Sequence, residues 1–173
     1  MSARFDADTV KVEGLDKMLK ALKKKPPVAR IGILGDKTNR KGGGVTNAEI
    51  GAAHEYGSPS RGLPPRSFLR VPLAEQLQKE MGKEGALSKA EFKEVMKQGS
   101  VVPWLKKIAG LAEGIVRGAF DTAGYGKWPG WKDPNYLAKL EKSRKGKGYA
   151  HAGQVLVDST QLRDSITSEV KGE

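Results

Sequence analysis

Residues 46–70, TNAEIGAAHEYGSPSRGLPPRSFLR, constrain the fold more than any other stretch, because a helix start, a helix stop and a stiff exit loop follow one another there. Thr46 with Glu49 three positions on makes a capping box, in which hydroxyl and carboxylate each satisfy one orphan N–H of the first turn. Val45 and Ile50 stand at the staple positions. Gly57 follows Tyr56 where a left-handed C′ residue ends a helix, and Pro59 cannot continue it. The spacing predicts a helix of about ten residues. Pro64 and Pro65 then fix φ and push Leu63 and Pro64 out of the α region, so Arg66, Ser67, Phe68 and Leu69 leave the loop in a restricted direction. Arginine and aromatic side chains on stiff backbone are the usual anchors of protein contacts. His54, Glu55, Tyr56, Arg66, Phe68 and Leu69 are therefore candidate partner-interface residues, in preference to a ligand site at Arg66 and Phe68.

On either side, the periodicity alternates between strand and helix. Val10 and Val12 alternate with Lys11 and Glu13 as a short strand. Leu15, Met18, Leu19 and Leu22 then mark an amphipathic helix that ends at the lysine run and Pro26-Pro27. Residues 28–34, VARIGIL, form a β-branched run between that proline pair and Gly35, which predicts a strand. Residues 36–44, DKTNRKGGG, read as a flexible basic loop; no Lys-[Ser/Thr] follows the glycines, so this is not a nucleotide-binding loop.

After the anchor stretch, Leu73, Leu77 and Met81 mark a helix starting near Phe68 or Pro72 and fading at Gly82 and Gly85. Ser88 and Glu91 form a second capping box, flanked by Leu87 and Phe92, for a short helix that stops at Gly99. Pro103 opens the longest helix, whose stripe of Trp104, Ile108, Leu111, Ile115, Ala119 and Phe120 runs to about Ala123. Gly110, Gly114 and Gly118 recur along it, each costing roughly 1 kcal/mol against alanine. Such a row implies close approach of another backbone, either within the chain or from another subunit. Residues 125–131 are an aromatic, glycine-rich turn, Asp133-Pro134 starts a helix, and 143–148 is a basic link. A short helical stretch around Leu162 and Ile166 and a strand through Val170 close the pattern. The expectation is one α+β domain over residues 1–173: a small antiparallel β-sheet flanked by α-helices with extended loops or arms, a helical insertion at about 72–123 and the flexible loop at about 36–44.

Composition narrows the chemistry. With no cysteine there is neither a disulfide nor a thiolate metal site. His54 and His151 are the two histidines and lie in no zinc-binding spacing, so no metal or cofactor is expected. His54 and Glu55 diverge by about 100° on a helix, and read as a helix end bonding backbone or partner, not as an acid–base pair. No nucleophile motif supports acyl transfer, and the expectation is a protein without catalytic residues. No apolar run is long enough to span a membrane and the N-terminus lacks a signal-like core. The formal net charge of +11 attracts polyanions. Its clusters at Lys20, Lys23, Lys24 and Lys25, at Lys37, Arg40 and Lys41, and at Lys139, Lys142, Arg144, Lys145 and Lys147 are either solvated helix ends and loops or an anion-facing surface.

The His54-Glu55-Tyr56-Gly57 block and the following Pro64-Pro65-Arg66-Ser67-Phe68-Leu69-Arg70 resemble the virion-morphogenesis and tail-completion proteins of long-tailed bacteriophages, a neck and tail-terminator-like family. Two later segments are similar to the family's other hallmark: Trp128-Pro129, and Leu156-Val157-Asp158-Ser159-Thr160-Gln161-Leu162-Arg163-Asp164-Ser165-Ile166. Thr160 departs from the glycine usual there, and the order of the blocks is reversed from that of many relatives. The resemblance implies a structural subunit that completes the tail and joins it to the head. It also implies a homo-oligomeric ring, sixfold by analogy, with head-side connector or stopper and tail tube proteins as partners. Such a protein is assembled in the host cytoplasm and ends in the virion. The corner at Arg66, Phe68 and Leu69 and the long helix from Trp104 would be its contact patches. Lys37, Arg40 and Lys41 would face either genome DNA or an acidic neighbour. The rival expectation is a basic, sequence-independent nucleic-acid-binding accessory protein, and a weaker third is a lytic hydrolase.

Overall fold

In the computed structural model the described residues are 12–39, 44–83, 88–130, 156 and 160–172. Six α-helices among them, α1 (Val12–Lys24), α2 (Asn47–Tyr56), α3 (Arg70–Lys83), α4 (Lys89–Gln98), α5 (Val102–Asp121) and α6 (Gln161–Asp164), accompany strands β1 (Val28–Ile33) and β2 (Ile166–Lys171). The fold is α+β, with the two strands paired antiparallel. Val12 belongs to α1, not to a strand: a four-residue alternation is weaker than the helical period of Leu15, Met18 and Leu22 that follows it. Val10, the helix expected after Asp133, the basic link at 143–148, Arg40 and Lys41 lie outside the described residues.

The register sets Ile33 opposite Ile166, Ile31 opposite Ser168 and Ala29 opposite Val170. Directly opposed residues share a face, so these six line one side of the ribbon and Val28, Arg30, Thr167, Glu169 and Lys171 lie on the other. The first face packs on α5, where Val116, Ala119 and Phe120 are fully buried. Polar bonds fix the alignment. Arg117 donates to the carbonyl of Ile166 at 3.0 Å, the Ser168 hydroxyl donates to Glu113 at 2.9 Å, and Arg163 of α6 holds Asp121 through two N–H donors at 3.1 and 3.0 Å. The segment read as an insertion thus supplies the centre of the core.

Local chemistry explains the helix ends. The Thr46–Glu49 capping box is complete, and its backbone and hydroxyl donors hold the Glu49 carboxyl below the usual carboxylate range. At α4 only half of the box forms: Ser88 accepts the Glu91 N–H at 3.2 Å, while the Glu91 carboxylate turns away to pair with Lys107 of α5. Gly99, at φ 63°, ends α4 in the left-handed region, as its position predicts, whereas Gly57 ends α2 at φ 78° and ψ 172°, outside the left-handed helical region, with its Cα side pressed against the Pro65 backbone. Thr160 has φ 57°, so the departure from glycine places a β-branched residue where glycine alone is unstrained; its hydroxyl donates to Asp164 at 2.7 Å across the turn.

Candidate functional site

The anchor stretch folds into a buried joint. Helix α2 lies so close to the core that a Cβ on Gly51 would stand 2.7 Å from Ile33 Cδ1 and 3.4 Å from the Phe68 ring, which is why a glycine interrupts that helix. Glu55, one turn on, is 5% exposed, and its carboxylate serves a different helix. It accepts the N–H groups of Phe68 at 2.9 Å, Leu69 at 3.0 Å and Arg70 at 3.1 Å, and the Ser67 hydroxyl at 2.6 Å. Those are orphan donors at the start of α3, where a negative charge also suits the helix dipole. Ser67 in turn accepts the Val71 N–H at 3.0 Å. The last turn of α2 therefore caps α3 in space.

Arg66 closes the joint from the other side. It is 3% exposed; its Nε donates to the carbonyl of Pro129 at 3.2 Å and a terminal N–H to that of Gly130 at 3.4 Å. Its own backbone N–H donates to the carbonyl of His54 at 2.7 Å. Trp128 answers by donating its indole N–H to the Ser67 carbonyl at 3.0 Å. Beneath these bonds Phe68, Phe120 and Trp128 stack, with centroids 5.0 Å apart for the first pair and 5.8 Å, edge-on, for the second. Leu156, Leu162 and Ile166 complete the same cluster.

The expected interface residues thus fall into three groups. Glu55, Arg66 and Phe68 point inward and hold the protomer together, and Leu69 packs half-buried against the core. Proline-fixed backbone aims Arg66 at the chain's own turn at 129–130 and Phe68 at the Phe120 ring, not into solvent. Tyr56 is the exposed one, 69% accessible, with the Arg70 guanidinium 5.7 Å from its ring centroid. Trp104 is half-buried at the far end of α5, about 24 Å along the helix from Phe120, and does not join the cluster. Lys37 lies exposed on a 3-10 turn, Gly35–Thr38. Buried Asn47 fastens that turn by donating to the carbonyls of Lys37 at 3.1 Å and Asn39 at 2.9 Å.

His54 adds a pH-sensitive element. Burial, and then the Arg66 charge, hold its imidazole below its ordinary value, and Nδ1 is buried with no hydrogen-bond partner among the described residues. With the folded value depressed, the unfolded chain takes up the proton first as pH falls below about 6.5. Stability therefore declines from there down to the folded value. His54→Gln is expected to flatten that part of the profile, measured as the urea midpoint from pH 7.5 to 5.

Among the described residues no group of three or more His, Cys, Asp or Glu side chains could hold a metal ion, and no helix is long and apolar enough to cross a membrane. Comparison with protein-family models, curated proteins and solved structures found no match for the chain.

Proposed function

We propose that the protein is a structural, non-enzymatic assembly subunit of the neck or tail of a long-tailed phage, one member of a ring that completes the tail and meets the head-side connector. One observation carries this reading. Within the sequence blocks that resemble the tail-completion family, residues 54–57 and 64–70, Trp128-Pro129, and Leu156, Leu162 and Ile166 come from three separate parts of the chain yet meet in a single joint. Short matches arising by chance have no reason to converge. Their convergence supports the view that they are one inherited unit.

A ring needs two different patches on each subunit. Tyr56 with Arg70 offers an exposed aromatic–arginine pair of the kind that anchors interfaces. The glycine face of α5 offers the second. A Cβ on Gly110 or Gly114 would meet nothing within 4 Å, whereas Gly118 is occupied by the Tyr125 hydroxyl at 3.0 Å. No contact within the described residues explains the first two glycines, and they floor an open groove of about 370 Å³ between α3 and α5. A second copy of the chain is the occupant this reading assigns.

Gly110→Ala with Gly114→Ala tests it. Each alanine is expected to stabilise the free protomer by up to about 1 kcal/mol through helix propensity, while a methyl group at the seam weakens assembly. Light scattering and electron microscopy should then find rings for the parent and monomers of raised thermal midpoint for the variant. Rings in both, or in neither, would contradict the reading.

A further inference from the structure

Charge is not spread evenly over the molecule. On α3, α4, α5, the turn after it and β2, Lys83, Lys97, Lys107, Lys127 and Lys171 each sit beside a carboxylate, with Lys79 and Lys93 the ones on α3 and α4 that do not among the described residues. On α1 the exposed Lys17, Lys20, Lys23 and Lys24, with Lys25 just beyond, have no such partner among the described residues. The helix dipole accounts for Lys23 and Lys24, which lie in the last turn. It does not reach Lys20 or Lys17, one and two turns back.

At 100° per residue, Lys17, Lys20 and Lys24 fall within a stripe roughly 60° wide, opposite the half-buried face of Leu15, Met18 and Leu22. The stripe is about 10 Å long, which matches the axial rise of about three phosphates on one DNA strand. Lys17 also shares with Lys106 of α5 the lining of an open depression of about 540 Å³.

We propose that this face of α1 binds the phosphate backbone of duplex DNA without regard to sequence. Duplex is favoured over single strands because no aromatic side chain lies on α1 to stack on bases. It is favoured over an anionic membrane because the apolar side of α1 is turned onto the protein, whereas an interfacial helix must insert that side into lipid. Backbone contacts of this kind position a protein on DNA and carry no base readout. Binding here does not depend on ring assembly, so failure of either leaves the other standing.

The test uses the full chain and two unrelated 30-base-pair duplexes, read by fluorescence anisotropy between 50 and 200 mM salt. Each phosphate contact adds about 0.9 to the slope of log K against log salt. Lys17→Gln, Lys20→Gln and Lys24→Gln together should therefore flatten the slope by about 2.7. The parent then loses about 40-fold more affinity than the variant over that salt range. A control carrying Lys79→Gln, Lys83→Gln and Lys127→Gln changes net charge equally and should keep the parental slope on both duplexes. Equal loss in variant and control, no binding by the parent, preference for single strands, or binding to phosphatidylserine vesicles in place of DNA would overturn the proposal.

Discussion

Glu55→Gln is expected to lower the free energy of unfolding by about 3 kcal/mol, out of a total of about 5–15 kcal/mol for a domain. The carboxylate accepts four hydrogen bonds at a site 5% exposed. An amide offers one oxygen and turns an NH₂ group toward backbone N–H donors, which leaves orphan donors of α3 buried without an acceptor. Bonds to charged acceptors contribute about 1.5–3 kcal/mol each but not additively, so the net figure is nearer that of one or two of them. Arg70, 3.8 Å from the carboxylate and mostly exposed, contributes little to the loss. Urea unfolding of parent and variant at pH 7.5 measures the difference. A change under about 0.5 kcal/mol, the level of an ordinary surface substitution, would mean that α3 does not depend on this cap.

The second large effect separates core from surface within one short segment. Phe68→Ala should cost about 3–5 kcal/mol, because it empties the space between the Phe120 ring and Gly51 at a site 2% exposed. Tyr56→Ala should cost less than about 1 kcal/mol, since it removes an exposed ring and one surface cation–π contact. A contact patch at Phe68 and Leu69 would let Phe68→Ala with Leu69→Ala leave a folded subunit deficient only in assembly. Burial of Phe68 changes that expectation: the double variant is first a folding defect. Thermal midpoints of the two single variants decide the matter, with Phe68→Ala strongly lowered and Tyr56→Ala close to the parent. Similar midpoints would show that the ring of Phe68 is not in the core.

What was legible in the sequence was whatever is encoded within one or two turns of backbone. The Thr46–Glu49 box, the stop at Gly57, the strand at 28–33 and the opening of α5 at Pro103 all depend on neighbours three or four residues away. The joint itself was not legible, because its bonds span long separations. Glu55 caps a helix that begins fifteen residues later, and Arg66 reaches carbonyls at 129 and 130. A helix-terminal glutamate beside tyrosine and glycine looks like surface chemistry until the second helix is placed above it. Likewise, the run ending at Val170 was recognisable as a strand, while nothing local assigned it to β1 at the other end of the described chain. The row of glycines on α5 showed the reverse difficulty. Its spacing was plain, but only the tertiary fold separates Gly118, filled by Tyr125, from Gly110 and Gly114, which face open space.

Amide hydrogen exchange at Phe68, Leu69 and Arg70 tests most directly whether these sequence blocks form one buried joint. All three N–H groups donate to Glu55, so each should open only with the whole domain and exchange as slowly as the amides of Val116 and Phe120 in the centre of α5. In Glu55→Gln the three should speed up selectively, while α5 slows or hastens only with the global change in stability. Exchange of Phe68, Leu69 and Arg70 at the rate of an open loop in the parent would contradict the account.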